Sequence, residues 1–252
     1  MAMIKTEKEI ALVRESSKIV ADVLRFLETQ VQPGIMTEEL DSMAEDFIRS
    51  SGGIPAFKGF GPDRQNLFPA SICVSIDDEV VHGIPGKRTL KEGEIVSLDV
   101  GVKKNGFYGD GAYTFAVGKI SEQKERLMKI TKEALAKGVE QAVEGNRLHD
   151  ISHAVQQHVE AAGFSVVRDL VGHGIGTELH EEPSIPNYGK AKTGIPLHAG
   201  MTLAIEPMVN HGTYKVRVAN DGWTIHTVDG EPSAHFEHTI VVRKGKAEIL
   251  TS

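Results

Sequence analysis

The chain is 252 residues long, 40% hydrophobic and 25% charged, with a formal net charge of −7 at pH 7. That supplies a sizeable core, and the acidic balance excludes a basic nucleic-acid surface as the basis of function. No window approaches the roughly 18 uninterrupted apolar residues that a membrane span needs. The one cysteine, Cys73, excludes an intrachain disulfide, and the N-terminus has no apolar stretch of the secretory type, so a cytoplasmic location is expected.

In chain order, Thr6 and Glu9 form a capping box, followed by a helical stripe of Ile10, Val13, Val20, Leu24 and Leu27. Pro33-Gly34 breaks the chain. Thr37 is read as the N-cap of a second helix with Leu40, Met43, Ala44, Phe47 and Ile48 inward, ending before Gly52-Gly53. Strand-like sequence follows at Ser71–Val81, Ile95–Val102 and Phe107–Phe115. Between the last two, Asn105-Gly106 marks a hairpin. With a four-residue loop Asp99 faces Asp110 directly; with a two-residue loop Asp99 faces Ala112 and Asp110 lies one diagonal away. Either register puts both aspartates on one face of the hairpin, where only a cation makes the pairing favourable.

A third helix begins at Ser121, with Leu127, Ile130, Ala134 and Leu135 on one side. A break at Glu144–Asn146 precedes a fourth with Ile151, Ala154, Val155 and Val159, ending at Gly163. A shift of 111 positions brings Gly34 onto Gly145, Leu40 onto Ile151 and Gly52 onto Gly163, a weak repeat. Further strands are expected at Phe164–Val171, Met201–Met208, Trp223–Val228 and His235–Val242, with Asn187–Ala199 as a loop. Together these predict one α+β domain spanning residues 1–252, made of two pseudo-twofold halves. An antiparallel sheet carries the acidic residues on one face and helices on the other.

Five residues sit where composition argues against them: Asp99 and Asp110 in apolar strands, His173 in Gly172-His-Gly-Ile-Gly176, Glu206 before Pro207, and Glu237 at the head of an apolar strand, in phase with His235 and Thr239. A lone buried carboxylate is costly. Four carboxylates and one imidazole exceed what a single tetrahedral site needs, and two divalent cations would cancel the four negative charges. Such a donor set suits Mn(II), Fe(II), Co(II) or Zn(II), and two such ions lower the pKa of a shared water toward neutrality, which makes a nucleophile for hydrolysis. His180 and His82 lie in glycine- and proline-flanked segments that fit polarising or proton-passing roles. His149, His153, His158, His198, His211 and His226 read as surface or packing residues. Gly172–Gly176 lacks the Lys-Ser/Thr ending of a phosphate loop.

The order Asp99, Asp110, Gly-His-Gly-Ile-Gly, Ile-Glu-Pro-Met and Phe-Glu-His-Thr resembles the methionine aminopeptidases, from about Lys5 to Leu250. The likeness is to the short bacterial type I form, without a zinc-finger extension or a large helical insert. It implies the pita-bread fold and removal of the initiator methionine from nascent chains whose second residue is small. It also implies that Asp99 binds one ion in bidentate fashion, that Asp110 and Glu237 bridge both, and that His173 and Glu206 complete the shell of the other ion, with Glu206 as proton shuttle. His180 would stabilise the tetrahedral intermediate and His82 would contact the substrate amine or scissile amide. Cys73, Trp223 and Phe60 would line the methionine pocket. A monomer acting near the ribosome, needing no nucleic acid or membrane, is the family expectation. Gly111 and a longer Gly61–Leu67 segment depart from the family pattern. An Xaa-Pro peptidase of the same fold and a non-catalytic peptide binder are the competing readings.

Overall fold

Helix α1 (Glu7–Glu28) starts at its capping box: Thr6 Oγ1 accepts from the Glu9 N–H, and Glu9 returns a carboxylate oxygen to the Thr6 N–H at 2.7 Å. Ile10, Val13, Val20 and Leu27 of its stripe are fully buried, and Leu24 packs at the margin of the core. Helix α2 spans Thr37–Ser50. Its N-cap is Met36 rather than Thr37. Glu39 accepts from the Met36 N–H at 2.8 Å, while the Thr37 hydroxyl bonds both the carbonyl and the N–H of Gly86. A threonine that fastens a neighbouring loop is not free to cap. The computed structural model describes residues 4–61 and 66–252, so residues 62–65, the middle of the Gly61–Leu67 segment, lie outside the described part.

The chain continues through β1 (Ile54–Pro55), β2 (Cys73–Ile76), β3 (Glu79–Val81), β4 (Ile95–Lys104) and β5 (Phe107–Ala116) to α3 (Glu122–Gln141) and α4 (Leu148–Ala161). Then come β6 (Ser165–Val166), β7 (Val171–Gly174), β8 (Glu181–Pro186), β9 (Thr202–Ile205), β10 (Met208–Asn210), β11 (Val216–Val218), β12 (Ile225–Thr227), β13 (Ser233–His235), β14 (His238–Val241) and β15 (Glu248–Ile249). Ser121 caps α3 as expected, accepting from the Lys124 N–H. The predicted strand Ser71–Val81 is split by a turn at Asp77, which takes φ 52°. The strand β8 was not expected, because Pro183 and Pro186 argue against one; it is the edge of its sheet, where a missing N–H is tolerated.

Among the described residues the strands form four sheets rather than one: β1-β4-β2 with β5 on β4, β13-β10-β6, β11-β12-β3, and β15-β14-β9-β7-β8. Every ladder is antiparallel. The interruptions fall at Glu206-Pro207, between β9 and β10, and at Phe236-Glu237, between β13 and β14.

The repeat is structural. Helices α2 and α4 are each 14 residues long, and the glycines paired by the shift all take left-handed backbone: Gly34 at 93° and Gly145 at 98°, Gly52 at 74° and Gly163 at 83°. One core packs α1 and α2 against β2 and β4 through Val20, Leu40, Ile48, Val96 and Leu98. The other packs α3 and α4 against β9 through Leu127, Leu135, Ile151, Val155 and Leu203. Tyr113 of β5 touches both cores.

Helix α1 lies directly on β5 at Gly109. A Cβ there would stand 2.5 Å from the Ser17 nitrogen and 2.7 Å from its Cα, both backbone atoms that cannot swing away. Gly109→Ala is expected to destabilise the fold by about 1–3 kcal/mol through overpacking, lowering Tm by about 2–4 °C for each of those kcal/mol. An unchanged melting temperature would show that α1 yields at this point.

Candidate metal centre

The hairpin β4–β5 closes with the two-residue turn: Asn105 and Gly106 take φ of 50° and 84°, and Lys104 pairs with Phe107. Asp99 therefore faces Ala112, and Asp110 faces Gly101, one diagonal away on the same face. The second half brings three more groups to that face. His173 sits on β7, paired with Ala204 of β9. Glu206 follows β9, where Pro207 ends the ladder. Glu237 is swung onto the hairpin by its own backbone, donating its N–H to the Ala112 carbonyl at 2.9 Å.

These five side chains converge. Donor atoms of Asp99, Asp110 and Glu237 lie within 4.8 Å of one another, and so do those of His173, Glu206 and Glu237. Asp110, His173 and His180 form a third such group, so His180 also reaches the cluster. His173 Nδ1 is 2.8 Å from the Gly174 carbonyl and must carry the proton, so Nε2 presents a lone pair. That lone pair faces Glu206 Oε1 at 3.6 Å and Asp110 Oδ2 at 3.9 Å. Asp99 Oδ1 and Glu237 Oε1 are buried with no hydrogen-bond partner among the described residues. Acceptors aimed at acceptors, with no donor supplied, fit a divalent cation.

Electrostatics agree. Burial holds Asp110 and Glu237 well above the usual carboxylate range, with neighbouring carboxylates pushing the same way. Burial first, and the Glu206 charge after it, raises Asp99 to about 7; burial raises Glu206 to about 8. The same desolvation drives imidazoles down, His173 to about 3 and His82 to about 4, and lowers His180.

Beside the cluster is a cavity of about 460 Å³. Its apolar wall is Phe57, Phe68, Cys73, Leu179 and Trp223. Cys73 on β2 is the cross-strand partner of Asp99, and burial pushes its thiol pKa up, so it is a soft neutral wall rather than a thiolate ligand. Phe68 meets Trp223 edge-on at 5.3 Å. His82 faces the same indole at 6.4 Å from a left-handed backbone, φ 59°. Phe60 lies at the rim, 41% exposed and edge-on to His180 at 5.2 Å. All ten candidate site residues thus line or border one space. None of the histidines read as surface or packing residues lines it. Two neighbours were not anticipated. Phe68 carries no sequence signal beyond hydrophobicity. His235 does carry one, its phase with Glu237, and it stands 3.6 Å from Glu206.

The profile of metallopeptidase family M24 matches residues 11–244. The chain belongs to the M24 metallopeptidases. Within that family it is 52% identical over 252 residues to the methionine aminopeptidase of Clostridium perfringens (strain 13 / Type A), covering 100% of this chain and 99% of that one. The crystal structure of methionine aminopeptidase from Thermotoga maritima superposes with a TM-score of 0.96 at 46% identity, covering 100% of both chains. These likenesses place the M24 chain with the bacterial type I methionine aminopeptidases, enzymes of the pita-bread fold. The prolidase from Pyrococcus furiosus shares the fold alone, with a TM-score of 0.79 at 22% identity over 99% of this chain and 65% of its own.

Each raised carboxyl binds its proton more tightly folded than unfolded. The carboxyl contribution to the stability of the metal-free protein therefore falls as pH rises through the folded values of about 7 and 8, while the lowered imidazoles act in the opposite sense only below their unfolded value of about 6.5. Cations that replace those protons reverse the loss. Metal-stripped protein is expected to melt lower at about pH 8.5 than at about pH 7, a window in which the imidazoles are neutral folded or unfolded, and Mn(II) to raise Tm more at the higher value. Equal stabilisation by Mn(II) at both values would contradict a cation-binding carboxylate cluster.

Proposed function

We propose that this metallopeptidase removes the N-terminal methionine from polypeptides whose second residue is small, using two divalent cations. Asp99, Asp110 and Glu237 would hold one, and His173 and Glu206 the other, with Asp110 and Glu237 shared between them. The observation that carries this is the bare Nε2 of His173 aimed at Glu206 and Asp110 at 3.6 and 3.9 Å. Cobalt, manganese, iron or zinc suits the donors; when bound, they supply Lewis acidity and a water of lowered pKa.

The chain's own residues carry the remaining steps. Glu206 takes the proton of the attacking water and delivers it to the leaving amine. His180, at the mouth of the cavity, donates toward the substrate carbonyl oxygen as negative charge develops there. His82 contacts the substrate amine or scissile amide. The methionine side chain lies against Phe57, Phe68, Cys73 and Trp223, where a thioether gains about 0.3–1.5 kcal/mol per aromatic contact. A pocket wall near the second side chain would enforce the size limit, because steric rejection of a large side chain discriminates better than weak attraction to a small one.

The same reading takes residues 1–252 as one domain of two pseudo-symmetric halves, because the cluster draws ligands from both. It takes the protein as a cytoplasmic monomer acting on chains as they leave the ribosome, since initiator methionine exists only at a new N-terminus. Among the described residues no helix is long and apolar enough to cross a membrane. An Xaa-Pro specificity is disfavoured by the enclosed aromatic pocket beside the carboxylates, and a purely binding role by the presence of every donor.

Metal-stripped protein titrated with Mn(II), Co(II) and Fe(II) should release methionine from Met-Ala-Ser and leave Met-Leu-Ser intact. Preference for Xaa-Pro peptides would reverse the assignment, and no release with any metal would remove the activity. Asp110→Ala and Glu237→Ala should each lower kcat by more than the 10–100-fold typical of outer-shell losses, because each serves both cations; near-normal turnover in either would refute the shared positions.

A further inference from the structure

His235, at the end of β13, is the titratable side chain nearest the centre that the reaction above leaves unused. Its side chain is 1% exposed, and neither ring nitrogen has a partner among the described residues. An unpaired imidazole so deeply buried carries an uncompensated desolvation penalty. Its backbone, by contrast, is fixed from both sides. The His235 N–H donates to Thr114 Oγ1 at 2.9 Å, and the Thr114 hydroxyl donates to the His235 carbonyl at 2.8 Å. Ser97 completes the set with a hydroxyl contact to Thr114 at 2.8 Å.

The other side of the seam repeats this clamp on Asp110. Its N–H donates to Thr239 Oγ1 at 3.0 Å, and the Thr239 hydroxyl donates to its carbonyl at 2.7 Å. The Glu237 N–H to Ala112 carbonyl bond lies between the two clamps. One pattern thus recurs on the two sides of the seam: a threonine hydroxyl grips the backbone N–H and carbonyl of His235 on one side and of Asp110 on the other. One of the two clamped residues is a carboxylate of the cation cluster. The other is an imidazole that the fold holds with equal care.

That imidazole faces Glu206, its Nε2 standing 3.6 Å from Oε2. Glu206 Oε1 is the oxygen turned to His173, also at 3.6 Å. His173 cannot donate to it, because its proton is on Nδ1 against Gly174. His235 has no such restriction, and closing the gap to hydrogen-bond distance takes a shift of only a few tenths of an ångström, roughly. We propose that His235 is a positioning residue: in its Nε2–H tautomer it donates to Oε2 of Glu206 and keeps Oε1 turned toward His173. The role rests on the reading of Glu206 as a cation ligand. An outer donor of this kind fixes the orientation of a ligating carboxylate, and its removal loosens the metal before it loosens the fold.

The test compares wild type, His235→Leu and His235→Gln. Mn(II) binding to the metal-stripped proteins is followed by calorimetry, alongside metal-free Tm and the kinetics of Met-Ala-Ser cleavage at saturating Mn(II). His235→Leu should weaken Mn(II) binding about tenfold or more and lower kcat with little change in KM. Its metal-free Tm should not fall, because an unpaired polar ring gives way to an apolar side chain. His235→Gln, which retains an N–H donor, should recover most of the Mn(II) affinity. Wild-type Mn(II) affinity in His235→Leu would overturn the role. So would equal losses in both variants accompanied by a lower metal-free Tm, the mark of a packing residue. Failure of the wild type itself to bind Mn(II) would overturn the cation-site reading, and the positioning role with it.

Discussion

Four carboxylates share a space from which water is largely excluded, and the rest of the molecule is arranged around that fact. Two unit charges about 4 Å apart repel by about 4 kcal/mol at an effective dielectric constant of 20. A few such pairs match the whole net stability of a domain, about 5–15 kcal/mol. Asp99, Asp110, Glu206 and Glu237 therefore cannot all be ionised together unless positive charge lies among them. Histidine does not supply it: desolvation keeps His173 and His82 neutral, at about 3 and 4. Lysine does not supply it either, since among the described residues no lysine or arginine lines the cavity. Protons or cations must fill the role, and the bare Nε2 of His173 favours cations, since a protonated carboxyl satisfies one acceptor while a divalent ion satisfies several.

Holding such a cluster requires a scaffold that does not relax away from it. The seam between the halves is built from backbone and hydroxyl bonds, which carry no charge and are insensitive to what occupies the centre. Thr239 clamps Asp110, and the Ala112 carbonyl fixes Glu237. Helix α1 presses on Gly109, one residue before Asp110. The loop bearing His180 is anchored from outside the cluster by the buried Lys5–Glu181 ion pair at 2.6 Å, and Glu181 also accepts from the Thr177 N–H at 2.8 Å. Ion pairing is thus placed where it orients a loop, and neutral hydrogen bonds are placed where the repulsion has to be resisted.

Much of this was legible in the sequence, for identifiable reasons. The carboxylates stood out because a charge in an apolar run is improbable without a partner, and Asn105-Gly106 fixed the side of the hairpin whichever register it chose. The helices were legible through Thr6, Ser121 and the repeated glycines. What stayed hidden depends on contacts distant in sequence. Thr37 reads as a cap until Gly86 is seen to occupy it. The break between the β13-β10-β6 and β15-β14-β9-β7-β8 sheets falls where Glu206 and Glu237 leave their ladders to reach the cluster, which no local pattern records. His235 shared its phase with Glu237, yet alternation says which face a residue takes and nothing about whether a carboxylate waits there.

The pocket and the centre occupy one desolvated volume, and this couples specificity to metal binding. The aromatic and thiol wall that accepts an apolar side chain also withholds water from Asp99 and Glu206. That is why their pKa values rise to about 7 and 8 while those of the imidazoles fall. In the metal-free protein near neutral pH the cavity therefore tends toward low net charge, with protonated carboxyls and neutral rings. A divalent cation enters by displacing protons rather than by meeting a preformed field of bare negative charge. A polar substitution in the wall, at Phe68 or Cys73, would admit water, lower the carboxyl pKa values and ease proton release. It would also solvate the carboxylates that a cation must strip of water, so a more open pocket need not bind metal more tightly.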